Sequence, residues 1–437
     1  MVSSDGFFKK MSTEPKKPHH AWLILIGCCC MMAAGLGAIW GTSGVFVIPV
    51  CGELGFTRGE FVLYLSFHAF ASVITAPIAG HFLPRFNIRI LMTAMTIIIC
   101  LSFGMMSTYH HLWQWYLSGT LIGICSSFIF VLPTPLLIDN WFKKRSGLML
   151  GIATSFSGIG AALFSPLFTS FINAWGWRTS YVFVALIFAA LILPWTLFVF
   201  RYRPSDMGLL PYGAEEENVI QENIEVNTSP ADDHKVKVSL SGVTLKMAVF
   251  SLPFICVVIF SSSDDYFGGL NNQLPALAVT AGYTAAFGAL LLSMASIGNV
   301  VMKLSIGYLV DKVGIVKASY VQMATVIFSC MIFVVTPNQW LMLAAALLFG
   351  VQNSIVTLSE PLLVRHYFGE KYYAQIYSYV RAIAGAVGAA VLPIAAFIYD
   401  HTSSYDFAFI IGIGVALLLA FMVFLGEKRK GRLFEEK

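Results

Sequence analysis

Five charged residues stand where a strongly apolar chain has no ordinary use for charge. Lys303, Arg381, Asp264, Asp265 and Glu360 each sit inside a long apolar stretch. A charge near a bilayer centre costs about 2.5 to 3.5 kcal/mol on insertion scales, so each must face a cavity or a partner. Lys303 shares a helical face with Ser296, Asn299 and Gly307. It reads as an anion ligand in a water-filled cavity, with snorkelling to the nearby interface as the competing reading. Arg381 follows Tyr373 and Tyr377 on one side of its helix. Its planar guanidinium fits a carboxylate, or else it pairs with Glu360 or Asp265. Carboxylates facing a cavity change protonation as water and cations come and go, so Glu360, then Asp265 and Asp264, are candidates for carrying a proton. The adjacent aspartates have a second reading, as markers of a hydrated, broken outer helix end. His68, one turn from Tyr64, is either a hydrogen-bonded core histidine or a proton relay. Asp139 is expected to latch onto Arg85 or Arg89.

The elements that must position these groups follow from composition. Of 437 residues 57% are hydrophobic and 11% charged, whereas soluble proteins carry about 25% charged residues. An ordinary water-soluble enzyme is excluded. The eight cysteines lie in or beside apolar stretches without paired spacing, so they read as small packers, and no metal or cofactor is expected. No H-E-x-x-H, G-x-S-x-G or P-loop pattern occurs, which argues against an intramembrane enzyme and against ATP-driven work.

A span needs roughly 20 apolar residues. Twelve such stretches are predicted, at about 21–49, 61–83, 88–108, 112–138, 147–173, 181–200, 247–270, 284–310, 315–336, 339–364, 373–399 and 405–426. They are too long and too uniformly apolar for barrel strands, so the predicted class is an all-α membrane protein. With both termini inside, 27 − 4 = 23 of the 27 Lys and Arg fall in tails or cytoplasmic loops; only Arg58 and Arg178 face outward, and Lys303 and Arg381 are within spans. This charge bias sets the orientation. The division expected is a tail at 1–20, a six-helix bundle at 21–200, a solvated, partly disordered linker at 201–246, a second bundle at 247–426 and a tail at 427–437.

The two bundles are duplicates. Gly80, Arg85, Asn87 and Arg89 match Gly307, Lys312, Gly314 and Lys317, with Gly80 and Gly307 separated by 227; Pro135, Trp141 and Phe142 match Pro361, Tyr367 and Phe368 at 226. Six plus six spans, a polar central loop and the run Gly307, Asp311, Lys312, Gly314, Lys317 resemble the major facilitator superfamily, whose signature in this loop is G-x-x-x-D-[RK]-x-G-x-[RK]. Pro84 stands where the first-half copy has its Asp. Gly44, Pro49, Glu53 and Gly55, and then Trp141, Phe142, Lys143, Lys144, Arg145, Gly147 and Gly151, resemble the monocarboxylate porter and oxalate/formate antiporter branch. The resemblance implies alternating access by two rocking halves in a monomeric cell-membrane transporter. It implies a small organic anion as substrate, a proton or counter-anion as partner, and a basic residue at the position of Lys303. Gly80, Arg85, Arg89, Asp139, Gly307, Asp311, Lys312 and Gly314 then belong to the gating loops. Membrane lipid is the expected surrounding, and nucleic acid is not an expected partner. The alternatives are an exporter of drug-like or neutral solutes, or a membrane sensor on the same fold.

Overall fold

The computed structural model describes residues 19–214, 243–335, 338–391 and 406–435. The expectations for the first tail and for most of the central linker lie outside these residues. Twelve long helices are described: α1 (His20–Leu54), α2 (Arg58–Phe82), α3 (Ile88–Met106), α4 (Leu112–Trp141), α5 and α6 within the run Ser146–Pro194, α7 (Leu252–Thr280), α8 (Ala285–Val313), α9 (Ile315–Val335), α10 (Gln339–Phe368), α11 (Tyr373–Val391) and α12 (Asp406–Glu435). Gly176, at φ 76° and ψ 163°, divides α5 (146–175) from α6 (177–194), a conformation that side chains with a Cβ rarely adopt.

Among the described residues, nine helices are long and apolar enough to cross a membrane, with the α5–α6 run counted as one. The two outside that set are α7 and α11, which carry Asp264, Asp265 and Arg381. Both face the protein interior along part of their length, where polar side chains find partners. Helix α7 runs without a break through Asp264 and Asp265. The reading of these residues as a broken outer end is therefore corrected: they sit mid-helix.

Irregular turns recur with the duplication. A π-helical turn at Ser127–Val131 precedes Pro133 and Pro135 in α4, and another at Ile355–Ser359 precedes Pro361 in α10. Proline has no N–H to give and crowds the carbonyl four residues back, which here is Val131 or Thr357. A widened turn at that carbonyl relieves the crowding. In α10 a 3₁₀ turn at Gly350–Asn353 comes just before. Gln322 of α9, fully buried, fastens this irregular stretch: its Nε2 donates to Ser354 Oγ at 2.6 Å and its Oε1 accepts from Ser359 Oγ at 2.8 Å.

The start of the central linker is packed, which corrects the expectation of a solvated segment from 201 onward. Tyr212 N–H donates to Trp141 O at 2.8 Å, its carbonyl accepts from Lys143 N–H at 3.1 Å, and Trp141 Nε1 donates to Arg201 O at 2.9 Å. At the far end Val243 N–H donates to Phe368 O at 3.0 Å. Phe142 and Phe368 are 226 apart in sequence, so the linker attaches at equivalent places on the two halves. Aromatic packing of Trp22 on Phe142 and Tyr212 holds the first attachment.

Candidate functional site

The intramembrane charges gather in the second half. Glu360 begins the last helical segment of α10 and is 0% exposed. Its Oε2 accepts from Ser261 Oγ of α7 at 2.7 Å and from Arg381 Nη1 of α11 at 3.1 Å, while Oε1 has no donor. Arg381 thus takes its ion-pair reading. Its side chain keeps 24% exposure, so the pair is buried on the acid side and reachable on the cation side. Tyr377, one turn before Arg381, is buried and stacks on Tyr373 with ring centroids 5.9 Å apart. Asp264 follows Ser261 by three residues, on the same face of α7. It lies within reach of the charges of Asp265, Arg381, Lys303 and Glu360. Asp265 lies against α11 at Gly388, whose missing side chain leaves room for the carboxylate.

Lys303 does not face an open cavity and does not snorkel. It is 1% exposed and reaches across the seam to α5, where Nζ donates to Thr154 O at 3.3 Å and Ser157 Oγ at 3.2 Å. Helices can meet here because Gly151 of α5 lies against the Lys303 carbonyl; a Cβ on it would come within 2.6 Å of that oxygen. Asn299, one turn earlier on α8, points its amide nitrogen toward Gly158 of α5, and its Oδ1 has no donor. The two amine partners of Lys303 are neutral oxygens, so its charge is solvated by dipoles alone at close range.

Both halves also meet at the end carrying the basic loops. Gly307 of α8 abuts Gly147 of α5, and a Cβ on Gly307 would meet the Gly147 carbonyl at 2.6 Å. Asp311 accepts from the backbone N–H of Gly147 at 2.9 Å and of Leu148 at 2.8 Å, a carboxylate at the positive end of α5. Arg145 just before it is left-handed at φ 58°. Lys312 is exposed, and Gly314 has φ 85°, a backbone conformation that suits glycine. In the matching first-half loop Gly80 touches Ser378 and the Ala374 carbonyl of α11, and Pro84 offers no carboxylate to that helix.

The partner expected for Asp139 is corrected. Asp139, 7% exposed, forms an ion pair with Arg365. Arg89 instead donates through Nε to Leu197 O at 2.7 Å, and Arg85 faces His81. The reason lies in the duplication: 139 + 226 = 365, so repeat mates meet across the pseudo-two-fold axis, where the α4 and α10 ends converge. Arg365 also donates to Glu370 Oε1 at 2.6 Å, as does Lys143 at 2.6 Å. Burial pushes the Glu370 carboxyl up, but the Lys143 and Arg365 hydrogen bonds and charges outweigh it and hold the group below the ordinary glutamate value. The sequence signal for this cluster was present in the repeat offset, since it places opposite charges at equivalent positions.

His68 is 4% exposed and lines a cavity inside the first half with Thr42, Phe46, Tyr64, Phe103 and Tyr181. It lies away from the Lys303 and Arg381 cluster, so the structure does not bring all the candidate proton carriers together. A knot at the opposite end went unseen in the sequence: Arg178 donates to Glu53 at 3.0 Å and to the carbonyls of Ser107 and Tyr109 at 2.9 and 3.2 Å.

Two bundles of six helices, meeting along α5–α8 and α2–α11 with charges buried at and beside the seam, define a polytopic membrane transporter. The Major Facilitator Superfamily model matches residues 23–359 and 268–437, and the chain belongs to that superfamily. It is 24% identical over 425 residues to monocarboxylate transporter 7 of Homo sapiens, covering 84% of this chain and 79% of that one. It is 25% identical over 189 residues to the uncharacterized MFS-type transporter YcxA of Bacillus subtilis (strain 168), covering 43% of this chain and 46% of that relative; this match spans less than half of its length. A riboflavin transporter, RibJ of Trypanosoma cruzi, is 27% identical over 105 residues, 24% of this chain and 22% of that one. Among solved structures, FucP in the outward conformation superposes with a TM-score of 0.65 at 13% identity over 93% of this chain and 99% of that one. The proton:xylose symporter XylE superposes at 0.67 with 13% identity over 93% and 94%. These superpositions establish the fold.

Proposed function

We propose that this chain is a secondary transporter that moves a small organic carboxylate through a site built from Lys303, Asn299, Tyr377 and Arg381. The observation that carries the reading is Lys303, a buried cation of the second half whose two close partners are neutral oxygens of the first half. An anion arriving at that seam meets Lys303, whose hydrogen-bond partners in the resting protein carry no charge. The 24% identity to monocarboxylate transporter 7 supports the same substrate class.

Charge counting then supports proton coupling. Asp264, Asp265 and Glu360 against Lys303 and Arg381 give 2 − 3 = −1 with all groups ionised. A carboxylate competing for Arg381 removes the partner of Glu360, and Glu360 answers by taking a proton. Asp265 and Asp264 are the next candidates, and His68 is set apart from them. A monocarboxylate entering with one proton moves no net charge, which avoids about 2.3 kcal/mol per 100 mV of opposing potential. The two halves, 21–200 and 247–426, rock about this site, with Asp139, Arg365, Lys143, Glu370 and the Gly147–Gly307 contact closing the end that the basic loops assign to the cytoplasm. Both termini lie on that side of a cell membrane, and the monomer is the working unit.

A second reading, export of neutral or drug-like solutes, draws on the fact that Arg381 is already neutralised by Glu360 and on the short match to a riboflavin transporter. Thermal shift of the purified protein against mono- and dicarboxylates and neutral solutes separates the two. Stabilisation by carboxylates that vanishes in Lys303→Ala supports the first reading, and stabilisation by neutral solutes alone supports the second.

A further inference from the structure

Helix α6 runs on into a π-helical turn at Trp195–Val199, which packs on the start of α3. Arg89, in the first turn of α3, donates from Nε to Leu197 O at 2.7 Å and from Nη2 to the same oxygen. Arg201, just past the π-helical turn, donates from Nη1 to Phe200 O at 3.0 Å. Each guanidinium is thus fastened by one edge to a carbonyl at the end of α6. Neither forms an ion pair among the described residues. Burial, and then the charge of Arg89, hold the Arg201 guanidinium below the ordinary arginine value, so the two cations lie close enough to repel. Asp206, whose charge acts the other way on Arg201, is engaged by the Arg203 N–H at 3.0 Å.

The surface beside them is apolar. Ile90 and Phe198 are 70% and 71% exposed. The chain after Arg201 then folds back to the same level: Trp141 donates from Nε1 to Arg201 O at 2.9 Å and accepts at its carbonyl from Tyr212 N–H at 2.8 Å. The loop between, 202–211, exposes Met207, Leu209 and Leu210. Such a run of exposed apolar side chains is out of place in water, and cations set among them match the boundary between phosphate headgroups and acyl chains.

We propose that the junction of α3 and α6 holds the phosphate of an anionic phospholipid. Arg89 and Arg201 engage its oxygens, Ile90 and Phe198 lie along its acyl chains, and the 202–211 loop is seated in the headgroup layer. Guanidinium forks bind phosphate in a planar, two-point geometry that an ammonium does not reproduce. A phosphate between the two arginines also replaces their repulsion with two attractions. A purely topological role, fixing the side on which this end lies, would be filled by any two cations.

Lipid retention by the full-length protein, purified in a neutral detergent and followed by native mass spectrometry, tests the proposal. With dioleoyl phosphatidylglycerol and dioleoyl phosphatidylcholine supplied at equal concentration, the first should be retained at least about fivefold over the second. Arg201→Gln should bring that ratio below about two, and Arg89→Lys, which keeps the charge and loses the fork, should at least halve it. Lys428→Gln removes an exposed cation at the end of α12 and should leave the ratio unchanged. Met207→Ser combined with Leu209→Ser should lower retention of both lipids. Equal retention of the two lipids by the wild type overturns the proposal. So does a ratio that falls as far in Lys428→Gln as in Arg201→Gln, which would mark an effect of net charge. A ratio untouched by both arginine variants overturns the assignment to Arg89 and Arg201. Inorganic phosphate supplied in place of lipid should not raise Tm; a rise that Arg201→Gln removes would show a site for a free anion and overturn the lipid reading.

Discussion

Neutralising Glu360 isolates the element on which the proposed coupling turns. In Glu360→Gln the hydrogen bond from Ser261 can persist, but Arg381 loses its counter-charge in a poorly solvated place. Breaking a fully buried ion pair from one side costs about 3 to 5 kcal/mol. Arg381 retains 24% side-chain exposure, so water screens part of this, and a loss of about 2 kcal/mol is the working figure. At about 2 to 4 °C per kcal/mol for a unit of this size, that lowers Tm by roughly 4 to 8 °C. Arg381→Met alone leaves Glu360 unpaired and should cost a similar amount. The double variant, with neither charge, should be more stable than either single one, giving a coupling energy above about 1 kcal/mol. Thermal unfolding of the four proteins in one detergent and one buffer reads this out. Additivity within about 0.5 kcal/mol would show that the two groups do not act as a pair, and the exchange of Arg381 between Glu360 and substrate would fall with it.

Further outcomes follow from other contacts. Glu360→Gln, if it folds, should still exchange carboxylate while losing acceleration by an inward proton gradient; unchanged pH dependence in it and in Asp265→Asn favours pure anion exchange. Arg381→Ala should weaken dicarboxylates more than monocarboxylates, as ligand titrations would show. Asp139→Arg and Arg365→Asp should each open the basic end to a cysteine-reactive probe by several-fold, and the charge-swapped pair should partly close it; no recovery in the pair would count against their direct contact. The Glu370 carboxyl is held low, so its contribution is present above the ordinary glutamate value and is lost only as pH falls through its lowered value. Probe access at this end should then be flat from about pH 5 to 8 in the wild type, and Glu370→Gln should raise it throughout that range. Gly307→Leu should prevent the α5–α8 approach and leave that end open, visible as the same increase in labelling.

The helices and their duplication were legible because lipid imposes a simple length and polarity rule, and because Pro135 and Pro361 recur at one offset. Charges inside spans were legible for the same reason: Lys303, Arg381 and Glu360 are conspicuous among apolar neighbours. The Glu360 partner of Arg381 was among the readings open in the sequence, but the Thr154 and Ser157 partners of Lys303 were not, since they depend on how α8 turns toward α5. Asp139 shows where a local argument misleads. Loop arginines are near it in the helix order, but the pseudo-two-fold axis delivers Arg365, its own repeat mate. Gln322 was missed because a single glutamine in a span carries no charge to mark it, although it is the clamp on the irregular turns of α10. The packed start of the linker was hidden by a polar composition that resembles solvated chain; its hydrogen bonds are made by backbone groups, which composition does not record.

Uptake of labelled carboxylate into proteoliposomes containing only this protein, with the internal and external pH set independently, tests the account most directly. Accumulation above the equilibrium level under an inward proton gradient, abolished in Lys303→Ala, reduced but present in Lys303→Arg and collapsed by a protonophore, is the predicted result. A wild-type protein that is folded and inserted yet moves no carboxylate under any gradient, or a Lys303→Ala variant that transports as the wild type does, would contradict it.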